Sequence, residues 1–274
     1  MRHLAIALAM LVLAAPVFAA PISETINDPS PGGQPDPNQP IWNLPPDQVV
    51  LYCNVPACNP VCPGLVTHPG ACAAPYPDDS RLNTGETTFG FGHAVSANIR
   101  VADDFTIPPG EQWQIDGITF FAYQTGATTP TVNAVNYNIW SGAAPPNGAI
   151  IFNSTAYCGA AFTGIRRTNS TATCAGDRVI QQVCAGGVPT CLPAGQYWID
   201  WQTAGSSTSG PWVPPLTCIP GASTGNAIQF TSTGWAAITN GTSGPCGLPF
   251  IINGIRCGAT AVEPATWGAI KSLY

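Results

Sequence analysis

Aromatic and polar side chains alternate along residues 196–202, Gln-Tyr-Trp-Ile-Asp-Trp-Gln. In an extended strand, Tyr197 and Trp201 would point to one face of the sheet, and Trp198 and Asp200 to the other. An indole beside a carboxylate can stack on a sugar ring and bind its hydroxyls, but the same pair can also pack between two sheets. The pattern therefore predicts a central strand with two aromatic faces.

The chain has eight tryptophans, and several of them fall at strand ends or turns, where one ring face could stay exposed. Trp140 closes an alternating strand, Trp212 follows Gly210-Pro211, and Trp235 lies between two later strands. Together with Trp198 and Asp200, these three residues form the predicted ligand-binding set. The alternative is that the rings fill a core that is poor in Met.

The residues available for catalysis are few. A serine or cysteine hydrolase needs a base beside its nucleophile, and only His68 and His93 follow the first twenty residues. We interpret His93 as a solvated loop residue. Glycoside hydrolysis needs two carboxylates across a cleft. The candidate acids are Asp103, Asp104, Glu111, Asp116 and Asp200. Adjacent Asp103 and Asp104 would point to opposite faces of one strand, so we do not expect them to act as a pair.

Metal binding has two candidate locations. One is a dense group of soft ligands, Cys53, Cys58, Cys62, Cys72 and His68, whose spacing would suit zinc. In an exported protein, disulfides tying down a loop are the favoured interpretation of that group. The other is a structural calcium site, to which Asp103 and Asp104 could supply oxygens. The favoured interpretation is that Asp103 or Asp104 accepts hydrogen bonds from Arg100 or from loop amides. No cofactor is predicted.

The N-terminal residues predict export. Arg2 and His3 precede an apolar run from Leu4 to Val17, so we expect a signal peptide over residues 1–19. No later stretch is long and apolar enough to predict membrane insertion. Loss of Arg2 leaves seven basic against fourteen acidic residues, a formal charge of −7. Nucleic acid and anionic membranes are therefore poor partners for the mature chain.

Eleven cysteines follow the signal, which fits an oxidising compartment. Short loops favour bonds between Cys184 and Cys191 and between Cys158 and Cys174, with Cys218 and Cys246 as a weaker pair. Because the count is odd, at least one thiol stays unpaired or pairs between chains. Cys257 or one of the first four cysteines is the candidate for that role.

About eight short strands separated by Gly/Pro turns predict an all-β fold, a jelly-roll-like antiparallel β-sandwich with disulfide-linked loops. Gly117 suggests a β-bulge, Pro108-Pro109-Gly110 ends one strand, and residues 153–176 are interpreted as a long, disulfide-pinned loop or an irregular hairpin. The predicted organisation is as follows: a signal peptide over 1–19, a disordered Pro/Gly-rich leader over 20–49, a Cys-rich irregular segment over 50–98, the sandwich over 99–258, and a tail with a short helix over 259–274.

Two sets of residues carry a resemblance. The first is Arg-Val-Ala-Asp-Asp-Phe-Thr-Ile from Arg100, followed by Trp-Gln-Ile from Trp113 and Tyr-Gln-Thr-Gly from Tyr123. The second is Ala-Gly-Gln-Tyr-Trp-Ile-Asp-Trp-Gln from Ala194 with Gly-Pro-Trp from Gly210. The chain resembles, over residues 99 to 255, an uncharacterised family of exported bacterial β-sandwich proteins. The resemblance implies the fold and carries no functional residue with it.

These observations lead to one functional expectation and two alternatives. We expect a secreted or cell-surface, non-catalytic module that binds glycan or extracellular matrix through exposed aromatic rings. A structural or adhesive surface component is the first alternative. A carboxylate-dependent glycoside hydrolase is the second, so enzymatic activity is left open.

Overall fold

The computed structural model of the 274-residue chain describes residues 21–25, 49–54, 78–82, 84–169, 178–216 and 225–258. Its regular structure is β-strand, apart from two short 3-10 turns, Val95–Ala97 and Gly241–Ser243. The all-β prediction is confirmed. Within the described ranges, no helix is long and apolar enough to span a membrane. The predicted signal peptide and C-terminal tail lie outside these ranges.

Thirteen strands are present in the described residues, more than the eight predicted. They are β1 (Ser23–Thr25), β2 (Val49–Cys53), β3 (Asp78–Arg81), β4 (Thr88–Gly92), β5 (Arg100–Ala122), β6 (Val132–Ser141), β7 (Ala149–Ser154), β8 (Tyr157–Thr168), β9 (Val179–Gly205), β10 (Trp212–Val213), β11 (Ile228–Thr231), β12 (Gly234–Ala237) and β13 (Phe250–Arg256).

Strands β5 and β9 form one long antiparallel ribbon through the whole fold. Val101 pairs with Trp201 near one end of the ribbon, and Ala122 pairs with Gln181 at the other. The register shifts between Ile107 and Gln112, around the Pro-Pro-Gly sequence that was expected to end a strand. The chain instead turns a corner there and continues as the same strand, which is how strands commonly pass between packed sheets.

The corner divides the ribbon between two packed layers. In the front layer, the half of the ribbon that contains Val101 and Trp201 is flanked by β11 and β12 on one side and by β6 and β7 on the other. In the back layer, the other half is flanked by β13 and β2 and by β8 and β3. All of these pairings are antiparallel except that of β3 with β8.

The main core lies between the two layers and is strongly aromatic. Phe120 of the back layer stacks on Trp201 of the front layer, with ring centroids 4.9 Å apart. Phe250 meets the same indole at 6.0 Å, and Tyr137 lies 6.0 Å from Phe120. Each such ring contributes on the order of 2 kcal/mol through burial, so these contacts hold the layers together. The expected inward face of residues 196–202 is therefore confirmed.

A bulge adjusts the register of the back layer. Asn253 pairs with Gly117 and Gly254 pairs with Ile115, so Asp116 is the extra residue on β5. A bulge next to Gly117 is the irregularity that the change of hydrophobic phase predicts.

A third, small sheet covers the outer side of the back layer. It consists of β1, β4 and β10, in the order β1-β4-β10. Phe89 of β4 packs in a second apolar cluster with Phe121 and Ile251, whose side chains point away from the main core. We call these three strands the cover sheet. They bury the outer face of the back layer, whereas the front layer has no such sheet among the described residues.

The cover sheet corrects the predicted domain boundaries. Residues 23–25 were assigned to a disordered leader, but they pair with β4, and Glu24 is buried against Arg178 with an Nε–Oε1 distance of 2.8 Å. The segment from 50 to 98 was expected to be irregular, yet it contains three strands that join the sheets. The β-structure is therefore not confined to residues 99–258.

The disulfides differ from the loop-closing pairs predicted by short spacing. Cys158 is bonded to Cys184 and Cys191 to Cys257, with Cα atoms 5.1 Å and 6.2 Å apart. The predicted pairs of Cys184 with Cys191 and of Cys158 with Cys174 are therefore wrong, and so is the unpaired Cys257. Cys218 lies outside the described residues, so its predicted bond to Cys246 is untested. The bonds link strands distant in sequence, which spacing alone cannot reveal.

Candidate functional site

The outer face of the front layer gathers most of the predicted site. Asp200 of β9 lies opposite Asn138 of β6, and Trp198 lies opposite Trp140. Directly paired residues of an antiparallel sheet share a face, so these four side chains project from the same surface. We call this surface, together with Phe230 and Trp235, the aromatic face.

Asp200 is the polar centre of the aromatic face, and its side chain is fully buried. Its carboxylate accepts hydrogen bonds from Arg100 Nε and from Trp140 Nε1. Asn138 Nδ2 donates to both carboxylate oxygens, at 3.2 and 2.9 Å. Because three side chains already occupy its oxygens, Asp200 fixes the ring of Trp140 and is not free to bind a ligand directly.

The two tryptophans of the central row differ in exposure. Trp140 is half-buried, and its indole N–H is held by Asp200, so the ring offers a flat apolar surface in a fixed orientation. Trp198 is only 5% exposed, which corrects the expectation that its ring would stay wet. Trp198 is therefore almost inaccessible to a ligand, and Trp140 is the ring that a ligand could contact.

Trp235 extends the aromatic face toward the opposite edge of the layer. It pairs with Phe230 across β12 and β11, and the two ring centroids lie 5.5 Å apart. Phe230 in turn lies opposite Arg100. Four strand spacings separate Trp235 from Trp140, which corresponds to roughly 19 Å across the sheet. A single sugar ring could not touch both rings.

Trp212 does not join the other four predicted residues. It belongs to the cover sheet, pairs with Gly92 and packs against the second apolar cluster. Its Nε1 donates to Ser209 Oγ at 3.0 Å. The expected loop position is wrong, because the residues after Pro211 form a strand that covers the back layer, and the Trp212 ring is half-buried. Trp212 lies on the side of the molecule opposite the aromatic face.

Two residues of the site were missed from sequence. Arg100 was expected to bond Asp103 or Asp104, but it binds Asp200 instead. Asn138 precedes Trp140 by two positions in an alternating strand, so the same face could have been assigned to it from the pattern alone. The pattern does not show which strand pairs with β6.

The other candidate acids are held by contacts within the fold. Asp103 Oδ2 accepts the amide of Leu248 at 2.7 Å, and Asp104 Oδ2 accepts Gln196 Nε2 at 3.0 Å. Glu111 binds Trp113 Nε1 at 2.6 Å and Arg256 Nε at 2.8 Å. Within the described ranges, no three His, Cys, Asp or Glu side chains are grouped so that they could hold a metal ion. Cys58, Cys62, His68 and Cys72 lie outside those ranges.

The sequence also contains a serine pattern that is not among the predicted sites. Residues 221–225, Gly-Ala-Ser-Thr-Gly, fit the Gly-x-Ser-x-Gly form found at nucleophilic serines of hydrolases. That pattern requires a sharp turn between a strand and a helix. Residues 221–224 lie outside the described residues, so no role is assigned to the serine.

His93 is buried inside the fold and is not the solvated loop residue that was expected. Its Nε2 lies 3.0 Å from Thr203 Oγ1 and its Nδ1 lies 3.4 Å from the Phe91 carbonyl oxygen. A carbonyl can only accept, so Nδ1 donates and Nε2 accepts from Thr203. Burial lowers the pKa of His93 to about 4 from its usual 6.5.

The pKa of Asp103 is shifted in the opposite direction. Burial raises its pKa to about 7 from 3.8, against the amide hydrogen bonds from Leu248 and Asp104 that favour the carboxylate. Between pH 4 and 7, the folded state keeps a proton on Asp103 that the unfolded chain has lost, so stability falls as the pH rises. Between pH 6.5 and 4, the unfolded chain protonates His93 and the folded state does not, so stability falls as the pH falls.

In the wild-type protein, the effects of Asp103 and His93 on the pH dependence of the free energy of unfolding are expected to cancel between about pH 4 and 6.5. The difference in free energy of unfolding between Asp103→Asn and wild type should rise by about 1.4 kcal/mol per pH unit in that window. The corresponding difference for His93→Gln should fall by a similar amount. Urea titrations at half-unit pH steps measure both slopes. Parallel pH profiles for all three proteins would contradict the assignment, whatever the absolute stabilities.

The likeness to a family of exported β-sandwich proteins stays a prediction. No protein-family model, curated protein or solved structure matches the chain.

Proposed function

We propose that the protein is a secreted or cell-surface module that binds uncharged glycan chains through the aromatic face. The observation that carries this proposal is the hydrogen bond from Trp140 to the buried Asp200, which holds a half-buried indole in place on the sheet. Sugar rings stack on such indoles through their C–H faces while neighbouring amides bind the hydroxyls. Asn136 and Asn138 on β6 supply partly exposed amides beside the ring.

Charge and spacing support a neutral, extended ligand. Arg100 is paired with Asp200, and Asp104 is buried, so the central row exposes little charge to a ligand. The chain as a whole has a formal charge of −6, which disfavours acidic polysaccharides. The distance from Trp140 to Trp235 fits a chain of several sugar units. Two disulfides are compatible with an extracellular location.

Replacement of Trp140 by Ala is expected to weaken glycan binding at least tenfold, since one stacked ring is worth on the order of 1.5 kcal/mol. Glycan arrays of neutral oligosaccharides would identify ligands, and isothermal titration calorimetry would measure the change in affinity. Trp212→Ala is the matched control, because it removes an indole of similar burial on the other side of the molecule. Equal losses for Trp140→Ala and Trp212→Ala, or no binding by the folded wild type, would contradict the proposed function.

A further inference from the structure

The edge of the front layer beyond the aromatic face is exposed and apolar. Strand β7 is bonded on one side only, to β6, and six residues make it the longest edge strand of the two layers in the described residues. Ile150 and Ile151 are adjacent on it and are 49% and 44% exposed. They are two of only five large apolar side chains exposed in the described part of the chain. An edge of this kind is a template for pairing with another strand.

The charge distribution around β7 indicates what pairs with it. No Asp, Glu, Lys or Arg occurs from Gly117 to Ile165, a run of 49 residues that contains β6, β7 and most of β8. Natural edge strands usually carry charges that prevent association, and β7 has none. Two copies of a chain with a formal charge of −6 repel each other least when they meet through this uncharged side. A second copy is therefore the occupant that fits.

We propose that β7 pairs antiparallel with β7 of a second copy to form a two-fold dimer. Each strand then contributes the same surface, as a two-fold interface requires. The bulge opposite Trp140, where Ile139 pairs with Phe152 and Trp140 with Ile150, interrupts the regular part of the strand. A short pairing of this kind belongs to the class of small, weak interfaces, so the dimer forms reversibly and depends on protein concentration.

The dimer also deepens the proposed function, on which this step rests. A two-fold axis perpendicular to the sheet brings the front layers of both copies into one continuous sheet. The two Trp140 rings then face the same side, each one strand away from the interface. A long glycan could contact both copies at once, which increases apparent affinity without any new contact.

Sedimentation velocity of the mature protein without glycan, over roughly a hundredfold concentration range, tests the dimer itself. We expect the fraction of dimer to rise with concentration and to change little with salt, since no charged residue lies in the interface. The double variant Ile150→Lys/Ile151→Lys should stay monomeric. Ile255→Lys is the matched control, because it places a lysine at an isoleucine on β13 that is 48% exposed, and it should dimerise as the wild type does. Circular dichroism verifies that each variant is folded.

A wild-type protein that stays monomeric at every concentration would overturn the proposal. So would a dimer that persists in the double variant or is lost in Ile255→Lys. For the binding step, Ile151→Lys alone, which keeps Ile150 opposite Trp140, should lose affinity for a polymeric glycan while keeping that for a short oligosaccharide. If neither protein binds any glycan but the dimer is present, the proposed function fails and the interface stands.

Discussion

Asp200→Asn is expected to lower the free energy of unfolding by about 3 kcal/mol and to reduce glycan binding as strongly as Trp140→Ala. Arg100, whose side chain is only 15% exposed, would lose its counter-charge. The new amide would also present N–H groups to donors that now bind a carboxylate, so at least one hydrogen bond from Asn138 or Trp140 would be lost. The Trp140 ring would then no longer be fixed.

Urea denaturation and calorimetric titration of the same preparation measure the two effects of Asp200→Asn separately. Asp116→Asn is the matched control, since its carboxylate is half-buried and bonds only Gln114, at 3.0 Å, among the described residues. It should change stability by less than about 0.5 kcal/mol and leave binding unaltered. Full glycan affinity in a destabilised Asp200→Asn protein would show that the hydrogen bond does not position the ring.

Glu24→Gln is expected to cost roughly 3–5 kcal/mol of stability, the largest effect that we predict. The Glu24 and Arg178 side chains are 2% and 4% exposed, and the guanidinium lies 4.2 Å from the centre of the Phe89 ring. Glutamine keeps the hydrogen bond from Thr125 Oγ1 but removes the negative charge that faces the buried guanidinium of Arg178. Urea unfolding monitored by tryptophan fluorescence gives the difference.

Glu111→Gln breaks an equivalent pair at the surface, where the side chains of Glu111 and Arg256 are 31% and 47% exposed. Its cost should be much smaller than that of Glu24→Gln, because solvent screens exposed ion pairs. Similarly small losses of stability in Glu24→Gln and Glu111→Gln would mean that the N-terminal strand adds little to the stability of the folded state. Such a result would restore the interpretation of residues 20–25 as part of a leader.

The local pattern was sufficient to predict the central strand and the outer surface it carries. Strict alternation over residues 196–202 placed Tyr197 and Trp201 inside and Trp198 and Asp200 outside, as the structure shows. The phase change at Gly117 likewise located the bulge. These predictions succeed because side-chain direction in a strand depends only on position along the chain.

Pairing between distant strands was not predictable in the same way. Proline and glycine at residues 108–110 signal a break in the strand, and the sequence does not distinguish a turn from a corner within one long strand. Strand β8 falls in a Thr-, Ser- and Gly-rich segment that predicted a long loop or an irregular hairpin, and its antiparallel pairing with β9 and its pairing with β3 were not predictable from that composition. Burial of Trp198 and His93, and the position of Trp212, depend on the same long-range contacts.

The ribbon shared by the two layers also has a kinetic consequence. Val101 has to find Trp201, one hundred positions later in the chain, before the front layer has its central pair of strands. Pairings so distant along the chain are characteristic of slow-folding topologies. A chain exported N-terminus first would present β5 with its apolar side chains long before β9 emerges, and during that interval it would need protection from aggregation until the strand arrives.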